Sequence, residues 1–160
     1  MSVKRIRQGW IDFLVEGEYT HAISLKPNDP RSASDLDSLH RLFVKVHMLV
    51  DRAILGSRFA RPSRAAQRSV AIGIVEGLPT SGHLHGAFKL DPSNWTKFEG
   101  LFQDGPTAAE RDGIWRTLVP HGTAVVEPIG DPQGWHRYAF KHVWECDDSD
   151  RVVLLPLSVV

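Results

Sequence analysis

The sequence predicts an α+β domain with a central, mainly antiparallel sheet flanked by helices. Two observations carry that reading. Strand-like and helix-like segments follow one another as β-α-β-β-α-α-β-α-β, with runs of each type and none of the strict alternation of a doubly wound parallel sheet. Two of the strands, Ser69–Glu76 and His83–Leu90, are joined only by Gly77–Gly82, whose Pro79, Thr80 and Ser81 make a turn, so they form a hairpin with a somewhat long loop. At 160 residues the chain has the length of a single domain with one core.

The remaining elements follow in chain order. Residues 1–17 (MSVKRIRQGWIDFLVEG) read as an N-terminal extension; the apolar stretch is short, ends at Glu16 and precedes no small-residue cleavage site, unlike a signal peptide. EYTHAISL, residues 18–25, mixes β-branched, aromatic and polar residues and stops at the turn Lys26-Pro27-Asn28-Asp29-Pro30. Ser34 and Asp37 make a capping box, and Leu36, Leu39, Phe43, Val46, Val50 and Ile54 then recur at helical spacing, predicting one amphipathic helix over 35–55 that Gly56 ends. An arginine-rich loop over 56–68 precedes the hairpin. Helices are expected over 92–103 and, after Gly105-Pro106, over 107–118; a short strand over Gly122–Glu127; a helix over Trp135–Glu145; and a last strand over Val152–Leu155.

Composition narrows the function classes. The chain is 42 % hydrophobic and 24 % charged, as in ordinary globular proteins, and no apolar run reaches the roughly 18 residues that cross a bilayer. Nineteen basic and nineteen acidic side chains cancel, which argues against coating nucleic acid by bulk charge and leaves room for gripping a short strand locally. Arg52, Arg58, Arg61, Arg64 and Arg68 share a window with no acid between Asp51 and Glu76; it is either a solvated loop or a phosphate-contacting patch. The lone cysteine, Cys146, permits no internal disulfide and no multi-cysteine metal site, and fits a reducing, intracellular setting.

Two short segments carry chemistry. In a strand, alternate side chains share a face, so His83 and His85 project together, with Leu84 opposite. Glu76 ends the preceding strand, and the hairpin brings its carboxylate beside them. Two imidazoles and one oxygen with open positions suit Mn²⁺, Mg²⁺ or Zn²⁺ and a phosphate oxygen, although many H-x-H pairs on exposed strands are inert. The second segment is Tyr138-Ala-Phe-Lys141, where i and i+3 share a helical face and place a phenol and an ammonium together, with Glu145 a turn further on. A cation beside a phenol favours its ionisation and steadies charge on an attacked phosphate, but such a pair on a helix is more often packing plus solvent. A metal site that polarises a phosphodiester and a tyrosine nucleophile together suffice for transesterification, and the phosphotyrosine bond conserves the energy of the broken linkage.

In motif order the sequence resembles the HUH endonucleases, particularly the catalytic domains of rolling-circle replication initiators of geminivirus, circovirus and small-plasmid kind. HAISLKPND, residues 21–29, is loosely similar to the first motif, His83-Leu84-His85 matches the second, and Tyr138 to Lys141 matches the third. The resemblance spans roughly residues 18–145. It implies metal binding by Glu76, His83 and His85, a one-tyrosine enzyme with Tyr138 as nucleophile, and an orienting role for Lys141. The implied fold is the ferredoxin/RRM-like antiparallel sheet of that superfamily. The implied activity is Mn²⁺- or Mg²⁺-dependent nicking and joining of single-stranded DNA, at a hairpin origin, through a 5′-phosphotyrosine intermediate. The chain departs from the pattern in its long connection between the first and second motifs. It has no G-x-x-x-x-G-K-[ST] loop, so a separate helicase would open the duplex, or the chain is a fragment. The expected location is the cytoplasm of a bacterial host, or a nucleus if the source is viral, with no membrane partner.

Other readings remain. A transposase or relaxase-like nickase uses the same histidine pair and tyrosine, though a relaxase more often carries three clustered histidines. A non-catalytic nucleic-acid-binding module should have lost one of the five residues, and a zinc hydrolase with no covalent step would leave Tyr138 dispensable. Among the other histidines, His21 either approaches the metal or packs, His136 and His142 flank the tyrosine and are candidate DNA contacts, and His40 and His47 are structural. Of Trp10, Trp95, Trp115, Trp135 and Trp144, only Trp135 is a candidate base-stacking platform.

Overall fold

The apolar strand Val70–Glu76 (β2) lies near the middle of a five-stranded sheet, and its burial from Ala71 onward explains why the run lacks polar alternation. In the computed structural model, which describes residues 3–31, 33–103, 113–141 and 149–156, this strand pairs with His83–Lys89 (β3) and Val152–Leu155 (β5). His21–Lys26 (β1) pairs with β3 on one side and with Thr123–Pro128 (β4) on the other. The order is β4-β1-β3-β2-β5 and every pairing is antiparallel, as the sequence predicts for an α+β fold.

The helices divide between the two faces. Leu36–Leu55 (α2), Trp95–Gly100 (α3) and Ile114–Leu118 (α4) cover the face that carries Ile23, Leu25, Val75, Leu84 and Phe88. Phe43 of α2 lies over the paired Gly73 and Gly86, where a Cβ would come within 2.7 Å and 2.9 Å of its ring. Those glycines let the helix approach the middle of the sheet. Phe43→Ala should therefore cost about 3–5 kcal/mol, read as a lower midpoint in denaturant titration; a loss below about 1 kcal/mol would mean the core closes over the gap.

On the opposite face, Val3–Glu16 (α1) packs with Pro132–Ala139 (α5) over Ile72, Ile74 and Ala87, with Ile11, Leu14, Ala139 and Phe140 between them. The predicted extension thus contains a helix that closes the second core. No described helix is long and apolar enough to cross a membrane.

The ends of two helices differ from expectation. Asp35, not Ser34, caps α2: its Oδ1 accepts from the Ser38 N–H at 2.7 Å, while the Ser34 hydroxyl donates to Arg31 O. The helix expected over Trp135–Glu145 instead spans Pro132–Ala139. It begins earlier because Asp131 accepts from the Gly134 N–H and proline suits a first helical position, and it ends before Lys141, so Tyr138 and Lys141 do not share it as expected. Residues 142–148, with His142, Trp144, Glu145 and Cys146, lie outside the described residues, as do 104–112 at the start of the expected 107–118 helix.

Candidate active site

The hairpin register sets Glu76 directly opposite His83, with His85 one strand period along the same face. The turn that fixes this register depends on Gly77, which has φ 76° and whose missing Cβ leaves room for the Ser81 carbonyl and the His83 ring. His85 Nε2 lies 3.4 Å and His83 Nε2 3.6 Å from Glu76 Oε2, and one ligand atom from each residue falls within 4.8 Å of the others. With metal–ligand bonds of about 2.1 Å, neighbouring donors stand about 3.0 Å apart in an octahedral site and about 3.4 Å apart in a tetrahedral one. The spacing fits a cation.

Both imidazoles are oriented from behind. His83 Nδ1–H donates to the Ser81 carbonyl at 2.9 Å, which leaves the Nε2 lone pair facing Glu76. His85 Nδ1 lies 3.0 Å from Ser24 Oγ on the neighbouring strand β1, so that hydroxyl accepts when Nε2 is the ligand. Glu76 and His85 are buried, whereas the His83 side chain is 21 % exposed and opens the group to solvent. Two imidazoles and a carboxylate in this arrangement can hold a metal ion.

In the metal-free protein the Glu76 carboxylate raises the His83 pKa above the usual imidazole value, with the Ser81 carbonyl adding to it and burial and Lys26 opposing. A metal must displace that proton. Affinity for Mn²⁺ should accordingly fall as pH drops through the raised value and level off above it. Calorimetric titrations between about pH 6 and pH 8 check this; equal affinity throughout would show that His83 is not a ligand.

Tyr138 comes to this site from α5. Its ring stands edge-on to His85, centroids 5.3 Å apart, and it is 54 % exposed. Lys141, two residues beyond the end of α5, places its ammonium 4.6 Å from the centre of the Tyr138 ring. Tyr138 and His85 line a cleft of 170 Å³ with Ser24, Val125, Glu127 and Trp135. The five predicted site residues are therefore brought together, and Trp135 lies at the same cleft. Ser24, which orients His85, escapes sequence reasoning, since an ordinary serine carries no signal of its neighbour across a sheet, and Ser81 orients His83 through a backbone carbonyl that no side-chain pattern reports.

Other candidates lie elsewhere. His21 faces the opposite side of the sheet, buried against Trp95 and Phe98, with Nε2 3.0 Å from Glu99 Oε1; it packs and does not approach the cluster. His136 is buried beneath α1 with the Leu14 backbone as partner, and burial lowers its pKa, so it is no DNA contact. His47 is buried, as expected of a structural residue, 2.8 Å from Ser69 O. The arginine-rich segment, which contains a short 3₁₀ turn over Pro62–Gln67, adjoins the Val70 end of β2, about 20 Å of strand away from Glu76. Within it Arg68 is tied to buried Asp51 at 2.7 Å. Comparisons with protein families, curated proteins and solved structures return no match.

Proposed function

We propose that this chain is a metal-dependent endonuclease of the HUH type that nicks single-stranded DNA and becomes joined to it through Tyr138. One observation carries the proposal: a phenol from α5 lies against a metal-binding group built by the β2–β3 hairpin, with an ammonium on the phenol's ring. Packing alone does not call for a half-exposed tyrosine over an imidazole whose Nε2 faces a carboxylate.

Glu76, His83 and His85 would hold the ion; their mixed nitrogen and oxygen donors suit Mn²⁺ or Mg²⁺ with open positions for water and substrate. The bound cation supplies Lewis-acid polarisation of a phosphodiester oxygen. The Tyr138 oxygen then bonds to phosphorus as the bond from phosphorus to the 3′-oxygen breaks. The phenol's proton goes to solvent, and the departing oxygen takes one up as a 3′-hydroxyl. Lys141 steadies negative charge on the attacked phosphate. Rejoining reverses these steps, with a 3′-hydroxyl displacing tyrosine, as rolling-circle replication requires. A duplex would need a separate helicase to expose the strand.

The test mixes wild-type protein with labelled single-stranded DNA bearing candidate hairpin origins, in Mn²⁺ and in EDTA, on a denaturing gel. With the label at the DNA 3′ end, the expected result is a metal-dependent labelled band at the mass of the protein plus the attached fragment. Cleavage without an adduct would replace the proposal with metal-dependent hydrolysis, and binding without cleavage on every substrate would favour a non-catalytic module.

A further inference from the structure

A second cleft, of 480 Å³, borders the cluster on the side of His83. It runs between the β1–α2 turn and the β2–β3 turn, and Lys26, Asn28, Asp29, Thr80, Ser81 and His83 contribute to its walls. We propose that this cleft is a phosphate subsite, in which Lys26 holds the backbone phosphate next to the one being attacked. The inference rests on the nicking reading and adds to it a binding residue and a direction for the strand.

Placement is the first support. Lys26 shares a sheet face with Ser24, and continuing the β1–β3 register by one pair sets it opposite His83. Its backbone is fixed: the carbonyl accepts from Trp115 Nε1 at 3.1 Å, and two residues on, the Asn28 amide donates to His121 O and Thr123 Oγ1. The ammonium therefore springs from a rigid strand end beside the cluster.

Charge is the second. Lys89, on the same face, pairs with Glu18 at 3.0 Å, whereas Lys26 forms no ion pair among the described residues, and its β4 neighbour is the neutral Thr123. Asp29, the carboxylate on the cleft wall, accepts from the Arg31 N–H. A divalent ion on one carboxylate and two neutral imidazoles leaves one net positive charge; Lys26 adds another and Asp29 takes one away, so one net positive charge remains along the cleft wall. A phosphate of the strand supplies the anion that this charge favours. With Tyr138 on the His85 side and Lys26 on the His83 side, the strand crosses the cluster from one cleft to the other.

The experiment uses Tyr138→Phe protein, which cannot form the adduct, with Mn²⁺ and a labelled random-sequence single-stranded oligodeoxynucleotide. Fluorescence anisotropy is followed over a range of salt concentrations. Adding Lys26→Ala should weaken binding and make the plot of log K against log salt shallower by about 0.7, the loss of one single-strand phosphate contact. Lys26→Arg should restore both, and calorimetric Mn²⁺ affinity should not fall in Lys26→Ala. If the parent binds DNA and Lys26→Ala matches it in affinity and slope, the subsite is wrong and the nicking reading stands. If Lys26→Ala also loses Mn²⁺, the lysine acts through the cluster and the subsite is again wrong. A parent that binds no single-stranded DNA removes both readings.

Discussion

Tyr138→Phe should abolish the covalent adduct entirely while leaving the fold and Mn²⁺ affinity as they are. The substitution removes one oxygen from a ring that is 54 % exposed, so its effect on stability should stay within about 0.5 kcal/mol. The ring's edge-on contact with His85 and its place under the Lys141 ammonium do not need the hydroxyl. Only chemistry is lost, because no other atom of the side chain can bond to phosphorus. The readouts are the denaturing gel and a calorimetric Mn²⁺ titration on the same preparation. Lys141→Ala offers the graded comparison: removing one group that stabilises developing charge typically costs about 10²–10³ in rate, so adduct should still accumulate, slowly. An adduct that persists in Tyr138→Phe would rule out this nucleophile, and equal loss in both variants would give the lysine a larger share in activating the phenol.

Much of this site is legible in sequence because it is built from local periodicities. His83 and His85 share a face by the strand period, and a hairpin returns Glu76 to them whatever the rest of the chain does. The meeting of Tyr138 with His85 is different in kind. It depends on α5 packing beside α1, and so on the N-terminal segment that reads as an extension. The helical signal is there, since Val3, Ile6, Trp10, Ile11 and Leu14 recur at helical spacing, and reading the segment as an extension passes over it, although Phe13 and Val15 are exposed apolar residues. Strand placement is equally readable, since the expected strands differ from the observed ones only at their ends. Helix starts are less so, because Asp35 and Ser34 are both good caps and only tertiary geometry chooses between them. The Ser24 contact across β1 belongs to the same class: register creates it, and no spacing along the chain reports it.

His85→Ala should lower Mn²⁺ affinity by more than about 100-fold, beyond the 10–100-fold that loss of an outer hydrogen bond to a ligand typically costs. Of the two proposed imidazole ligands His85 is the more buried, with Glu76 Oε2 3.4 Å from Nε2 and Ser24 Oγ 3.0 Å from Nδ1. Removing it leaves two donors, one of them the partly exposed His83, and opens the cluster to the Tyr138 cleft. Ser24→Ala supplies the intermediate point, since its imidazole remains but loses the group that holds its ring and tautomer. Thermal unfolding with and without Mn²⁺ reads the series independently of DNA: an ion at 100 times its Kd stabilises a folded protein by about 2.7 kcal/mol. That gain should be full in wild type, reduced in Ser24→Ala and absent in His85→Ala. The order matters more than any one value. A Ser24→Ala protein that keeps the full gain would show that the backbone alone positions His85, and a His85→Ala protein that keeps it would place the ion elsewhere.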